Sequence, residues 1–167
     1  MKNIEYWLRG PVENTPALLQ PVAHALLQAR DEIGDVLKDF PDSLLWQKPA
    51  GVASVAFHLQ HIPGAIDRLF TYATGNTLSE EQLHDLAAEG KEKEEITVNE
   101  LLNKFNYQIE IALIQLRNTP DIMLLEPRGV GRKQLPSTVL GLLFHAAEHV
   151  QRHTGQLLVT AKMLTTA

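Results

Sequence analysis

Three histidines recur at every fourth position near the C-terminal end of the chain: His145, His149 and His153. Residues four apart in an α-helix lie on the same side of it, so their side chains can converge on a single metal ion. The remaining positions of this stripe, from Leu142 to Leu164, are mostly apolar and follow the spacing of a buried helix face. His149 and His153 are therefore expected to point into the protein, where an imidazole pair is costly to bury without partners.

A second pair of histidines, His58 and His61, is three residues apart beside another apolar helical stripe. Zinc-like sites with an open position commonly use three protein ligands and a water. His149 and His153 supply two ligands, and His61 is the best candidate for the third. His58 stays an alternative for that place, as does His145. Three successive ligands from one helix fit poorly, because positions 145 and 153 are about 12 Å apart along the axis.

The other charged and imidazole side chains around these motifs have ordinary interpretations. His24 and His84 are expected to be surface or packing residues. Glu148 and Arg152 fall off the apolar stripe and are expected to face solvent.

The apolar periodicity predicts an all-α protein, a four-helix bundle with a short extra helix between helices 2 and 3. No strand is predicted. Capping residues mark several of the helix starts. The four long helices are expected at about 15–39, 54–74, 97–116 and 137–163, and the short helix at about 79–88.

Prolines and glycines mark the expected irregularities of these helices. Thr15 and Pro16 are expected to open the first helix, with Pro21 in its second turn at the cost of a hydrogen bond or a bend. Pro63 is expected to kink the second helix. Residues 119–136 are expected to form a long irregular crossing that ends where Ser137 caps the last helix.

Composition restricts the class of protein. The 167 residues suffice for one domain, expected to span 1–167, and they carry 15 Lys and Arg against 20 Asp and Glu. Without a basic stripe we expect no nucleic-acid partner. There is no cysteine, so any metal must bind imidazole, carboxylate or water. The sequence shows neither a signal peptide nor a membrane-spanning run, and we expect a cytoplasmic protein without a membrane partner.

Two motifs resemble those of the DinB/YfiT-like superfamily. They are the segment from Ser54 to Ile62, with its His-Leu-Gln-His core, and the segment from His145 to Leu157, with its His-Thr-Gly-Gln core. The resemblance implies a four-helix bundle of unusual crossing topology and frequent homodimers. It implies a divalent metal held by His61, His149 and His153. It also implies diverse activities, including thiol-dependent S-transferases, isomerases and suggested hydrolases.

Such a site supports Lewis-acid chemistry. Three neutral imidazoles leave the ion its full positive charge, so a bound water can ionise near neutral pH, or a substrate thiolate can take the open position. Zinc or nickel is the expected metal, with iron as an alternative, because imidazole suits all three. His58, if it faces the pocket mouth, and His145 are the candidate catalytic bases. Trp46 is considered for the pocket wall, although a core or lid role fits equally well.

Two further features of the sequence receive structural interpretations. Arg132 and Lys133 are considered as contacts for an anionic cosubstrate, and a solvated loop is the favoured interpretation. Gly155 and Gln156 are expected to be structural, with the glycine admitting a neighbouring helix and the glutamine anchoring a backbone group.

Three hypotheses follow. The first is a metal-dependent enzyme, a thiol S-transferase or hydrolase of a small molecule, with a low-molecular-weight thiol as a candidate substrate. The second is a metal-binding bundle without catalysis that acts as a stress-associated interaction module. The third is a bundle with a purely structural metal. In each case metal should be lost as the pH falls to about 6.5 or below, where imidazoles take up protons.

Overall fold

The computed structural model describes residues 4–93 and 95–166 of the chain. The chain is mostly helical, as the sequence predicts. Its five α-helices are α1 (Gln20–Leu37), α2 (Val55–Ala73), α3 (Glu80–Ala88), α4 (Val98–Arg117) and α5 (Val139–Thr165). A pair of short strands, β1 (Pro127–Val130) and β2 (Leu135–Thr138), precedes α5.

The four long helices surround a common apolar core. Helix α5 packs against both α1 and α2, and α4 packs against the same two helices. The core side chains come from all four, and Leu26, Ile62, Phe105 and Val150 are examples with no or almost no exposed surface. Short α3 has no buried residue and packs against α2. Its position at the side of α2 matters for the site described below.

The predicted caps of the middle helices are confirmed. The side chain of Ser54 accepts a hydrogen bond from the backbone N–H of Phe57 at the start of α2. Complete capping boxes open α3, between Ser79 and Gln82, and α4, between Thr97 and Glu100. These caps satisfy backbone donors that the first helical turn leaves free, and so they fix where each helix begins.

The first long helix begins later than predicted. Residues Ala17–Leu19 form a 3₁₀ turn after Pro16, and α1 starts at Gln20. Pro21 therefore lies in the first turn of α1, where its missing N–H would have had no helical acceptor. The predicted loss of a hydrogen bond at Pro21 is wrong for this reason. Helix α2 continues through Pro63 and ends at Ala73, close to the predicted end at 74, and Gly75 follows with a φ of 85°.

The predicted irregular crossing contains a β-hairpin. Strands β1 and β2 are antiparallel, and Arg128 is paired with Ser137. Thr138, not Ser137, caps α5, because its side chain accepts from the N–H of Gly141. Ser137 is thus part of a strand. The hairpin escaped prediction because each strand has only four residues and contains a proline, which sequence rules treat as a strand breaker.

None of the helices in the described part of the chain combines the length and the apolar character that crossing a bilayer requires.

Candidate metal centre

Three histidine rings meet where α2 packs against α5. His61 comes from α2, and His149 and His153 come from successive turns of α5. One ring nitrogen from each lies within 4.8 Å of the other two. The Nε2 atoms of His61 and His149 are 2.8 Å apart, and the His153 ring centre is 4.5 Å from both of their ring centres. The predicted convergence of imidazoles from two helices is therefore present.

The nitrogen spacing is compatible with a divalent ion. Zinc bound tetrahedrally to imidazoles at about 2.0–2.1 Å places its nitrogen ligands about 3.3 Å from each other. The Nε2 atoms of His61 and His149 are 2.8 Å apart, and one nitrogen from each of the three rings lies within 4.8 Å of the others, so modest movements of the rings would reach this spacing. Within the described residues the group comprises three side chains, all half-buried. A fourth ligand to such an ion would have to be a water or an exogenous molecule.

Glu89 supports the His61 ring from behind. The Nδ1–H of His61 donates to Glu89 Oε2 over 2.6 Å, and the carboxylate is only 8 % exposed. Because a carboxylate can only accept, Nδ1 carries a proton, and the neutral ring then has its lone pair on Nε2, the atom that faces His149. Carboxylate–histidine pairs of this kind orient metal ligands and raise their basicity. His61 is thus held in the tautomer that metal binding requires.

Arg68 fixes the carboxylate in turn. Its Nη1 donates to Glu89 Oε1 over 2.7 Å, so each oxygen of Glu89 has one partner. Gly64, between His61 and Arg68 on α2, leaves room for this pair. A Cβ at position 64 would come within 2.7 Å of both Arg68 Nη1 and Glu89 Oε1. The glycine therefore allows the ion pair to lie against the helix.

Phe57 of α2 covers one face of His61, and the turn after α3 lies against Phe57. Phe57 stacks on the His61 ring, with ring centres 5.1 Å apart and planes within 10° of parallel. Gly90 has a φ of 75°, and a Cβ there would be 3.0 Å from the Phe57 ring. Its N–H donates to the side chain of Gln60 over 2.7 Å. This turn carries Glu89 to His61, and it needs a glycine for both backbone conformation and space.

The sequence did not single out Glu89 or Arg68. Glu89 comes directly after the last residue of α3, beside a charge-dense connector where acidic residues usually face solvent. The following Gly90 was the only local signal, because an achiral residue can permit a close approach. Nothing in the linear sequence pairs position 89 with positions 61 and 68.

His58 lies behind the cluster. Its side chain is only 2 % exposed, and its Nδ1 is 3.1 Å from the Nδ1 of His153. The condition on which His58 is a candidate base, that it faces a pocket mouth, is therefore not met, because its position on α2 turns it towards the core. A catalytic role for His58 stays a prediction without that support.

His145 lies at the solvent-facing side. Its side chain is 52 % exposed and contacts Glu148 at 3.1 Å, and its ring centre is 5.6 Å from that of His149. Glu148 also pairs with the exposed side chain of Arg152. His145 is adjacent to the cluster without belonging to it, so its predicted role as a base remains a prediction.

Gly155 and Gln156 differ from their predicted structural role. Both residues are exposed, and a Cβ at Gly155 would meet no atom within 4 Å. No neighbouring helix approaches there in the described part of the chain. The glutamine of α5 that does anchor a backbone is Gln151, which donates to the carbonyl oxygen of Ala25 over 2.7 Å.

The other residues singled out in the sequence lie apart from the cluster. His84 is exposed, and His24 contacts the carbonyl oxygen of Gly10 at 3.0 Å, as expected for ordinary histidines. Trp46 packs against the core, with its Nε1 buried and unpartnered.

The hairpin is anchored away from the cluster. Arg128 donates to the carbonyl oxygen of Ala73, twelve residues after His61 on α2 and hence about 18 Å along the helix. Arg132 and Lys133, in its turn, are exposed, as expected for solvated loop charges.

A cleft of about 410 Å³ adjoins the cluster on the opposite side of Glu89. Side chains of α2, α3 and α4 line it, among them Pro63, Lys104 and Tyr107. Glu89 lines it too, whereas the three clustered histidines do not. The carboxylate therefore separates this cleft from the metal-compatible nitrogens.

Burial favours the neutral form of three imidazoles at this site, those of His58, His149 and His153. Removal from water, followed by the nearby His153 and His61, lowers the pKa of His58 to about 4. Burial, followed by His153, His61 and more distant charges, lowers the pKa of His149 to about 4. The pKa of His153 is also lowered, mainly by burial and then by His61 and Arg152. Because protons compete less with a metal at such rings, metal release is expected at lower pH than free imidazole would suggest.

These shifts predict how the stability of the metal-free protein depends on pH. Between pH 6.5 and about 4 the unfolded chain binds protons at His58 and His149 that the folded chain does not bind. The free energy of unfolding therefore falls as the pH is lowered through this window. Calorimetric Tm values of the metal-free protein should show this fall, and His149→Asn should make it shallower. Parallel curves of Tm against pH for the two proteins would contradict the lowered pKa of His149.

Comparison with known proteins gives one family. The family model described as the DinB superfamily matches residues 25–157, about four-fifths of the chain. The matched region includes α2 and the part of α5 up to Leu157, and hence all three clustered histidines. No curated protein matches the chain.

Proposed function

The chain belongs to the DinB superfamily, and we propose that it binds one divalent metal through His61, His149 and His153 and uses it as a Lewis acid on a small molecule. The observation that carries the proposal is the meeting of these three rings, with the tautomer of His61 already set by Glu89. Zinc or nickel is the metal we expect, with iron as the alternative, because all three bind imidazole well.

The composition of the site favours an open coordination position. The group contains three half-buried imidazoles among the described residues, and both oxygens of the nearest carboxylate, Glu89, are engaged by His61 and Arg68. Three protein ligands are typical of catalytic zinc, whereas structural zinc usually has four. A role beyond structural support is the better interpretation of this ligand set.

The bound ion would supply charge for activating a water or a thiol. The chain's own residues determine the charge of the site, its access and the transfer of protons. Among the described residues no carboxylate joins the three imidazoles, Phe57 covers one face of His61, and His145 is the exposed imidazole next to the cluster. His145 is therefore the residue we propose for moving a proton to or from the substrate. Thiol S-transfer and hydrolysis are both candidate reactions, because neither needs a cysteine of the protein. Thiol S-transfer is the first to test.

The proposal extends to the whole molecule. The packing of α1 and α2 against both α4 and α5 supports a four-helix bundle with the crossing topology of the family. A single domain over 1–167, a cytoplasmic location and a homodimer are parts of the same proposal. Light scattering of the purified protein tests the dimer.

The enzymatic part predicts metal-dependent turnover. Purified protein loaded with zinc or nickel is assayed for thiol conjugation, with low-molecular-weight thiols and an electrophile, and for hydrolysis of ester and amide substrates. Activity is expected with metal, and chelation should abolish it by removing the Lewis acid. His145→Ala should lower kcat while bound metal is unchanged. Metal-loaded protein that is inactive in every assay would instead favour a metal-binding module without catalysis.

A further inference from the structure

His58 is a buried polar side chain with one polar partner among the residues that the structure describes. Its side chain is 2 % exposed on α2, next to the cluster, and its ring is in a T-shaped arrangement with that of Phe57. The polar atom it meets is the Nδ1 of His153, 3.1 Å from its own Nδ1. A buried imidazole without such a partner would be costly, so this contact accounts for the presence of a histidine in the core.

In the hydrogen bond between His58 and His153, one ring must donate and the other must accept. When two imidazole nitrogens share a hydrogen bond, one carries the proton and the other offers its lone pair. If His153 donates, its proton is on Nδ1 and its Nε2 is free to bind a metal. If His58 donates, the neutral ring of His153 carries its proton on Nε2 and cannot bind a metal through that atom. Metal binding through Nε2 thus requires His58 to be the acceptor.

We infer that His58 is a positioning residue, whose Nδ1 accepts a hydrogen bond from the Nδ1–H of His153 and thereby keeps the Nε2 of that ligand free for the metal. The inference rests on the metal site proposed above. His58 would fix the tautomer of His153, as Glu89 fixes the tautomer of His61. The two ligands then have different supports, an anionic carboxylate for His61 and a neutral imidazole for His153.

This role differs from the two alternatives that the sequence left open for His58. A proton-transferring base needs contact with substrate or solvent, and the side chain is buried. A metal ligand needs a nitrogen in the convergent group, and that group consists of His61, His149 and His153. The role left for His58 is the hydrogen bond that it shares with His153.

Two substitutions at position 58 separate hydrogen bonding from packing. His58→Leu fills a similar volume without an acceptor, whereas His58→Asn keeps an acceptor close to the position of Nδ1. His24→Leu is the matched control, because it removes a helical histidine outside the cluster. Zinc affinity is measured by competition with a chromophoric chelator. The tautomer of His153 is read from ring ¹⁵N shifts by NMR, in the metal-free and the zinc-loaded protein.

We expect His58→Leu to weaken zinc binding about 10- to 100-fold, the usual effect of removing a ligand's outer partner. His58→Asn should stay within about threefold of wild type because it preserves the acceptor. His24→Leu should have no effect. Wild-type His153 should carry its proton on Nδ1 with and without zinc, and His58→Leu should give a mixture of tautomers in the metal-free protein.

Several results would overturn the inference. They are wild-type zinc affinity in His58→Leu, an unchanged His153 tautomer in that variant, an equal loss of affinity in His58→Asn, or a wild-type His153 protonated on Nε2. If His58→Leu does not fold, the zinc affinity of His58→Asn and the wild-type spectra still show whether His58 accepts the hydrogen bond from His153. Failure of the wild-type protein to bind zinc would refute the proposed function instead, and the metal-free spectra would then test the His58–His153 hydrogen bond alone.

Discussion

His149→Ala is expected to remove bound metal almost completely. His149 supplies the nitrogen that faces His61, and without it the remaining imidazoles, His61 and His153, come from different helices. Two neutral ligands cannot replace the hydration shell of a divalent ion as three can. Elemental analysis after dialysis should give about one ion per wild-type chain and less than about a tenth of that in the variant. His61→Ala and His153→Ala should behave in the same way.

The matched control for these variants is His145→Ala. It removes an imidazole from the same helix, one turn before His149, but from the exposed side of the cluster. Metal content should therefore remain that of wild type. If His145→Ala loses the ion while His153→Ala keeps it, the ligand set is displaced by one or two turns of α5. Circular dichroism of each variant shows whether the helices are intact.

Glu89→Gln is expected to weaken metal binding about 10- to 100-fold with the three ligands unchanged. The amide retains the shape of the side chain but removes the negative charge that polarises the Nδ1–H of His61. It also leaves Arg68 without its anionic partner in a largely buried place. Part of the effect should therefore appear as a lower Tm of the metal-free protein. Chelator competition measures the affinity, and calorimetry measures the Tm.

Gly64→Ala separates the effect of the Glu89–Arg68 ion pair on metal affinity from its effect on Tm. The added methyl displaces the flexible end of Arg68 and the carboxylate of Glu89, while alanine favours the helical backbone by up to about 1 kcal/mol. We expect weaker metal binding with little change in Tm. Gly34→Ala is the control, because it makes the same change inside α1, where a Cβ meets no atom within 4 Å. Equal metal affinity in both glycine variants would contradict the role of Glu89.

The convergence of the three histidines could be predicted because it depends on periodicity. Spacing of four residues places His149 and His153 on one face, and the apolar neighbours of both histidine helices show which faces turn inward. His61 needed one further step, the assumption that α2 and α5 are neighbours. The resemblance to the family supplied that assumption, and the packing of α2 on α5 bears it out.

The supporting residues could not be predicted because they depend on contacts between distant segments. Glu89 reaches His61 only because α3 lies against α2 and Gly90 turns the chain beside Phe57. The inward orientation of His58 depends on a rotation of α2 that three-residue spacing from His61 does not fix. The hairpin before α5 likewise results from pairing of two segments whose local composition argues against strands.

The account depends most on one cation being held by imidazoles of both helices. Crystals grown with zinc and measured on both sides of its absorption edge locate the ion without assumptions about its ligands. The account predicts one strong anomalous peak per chain, about 2.0–2.1 Å from a ring nitrogen of each of His61, His149 and His153. A peak bound to other side chains, or well-ordered rings of these three histidines with no peak between them, would contradict it.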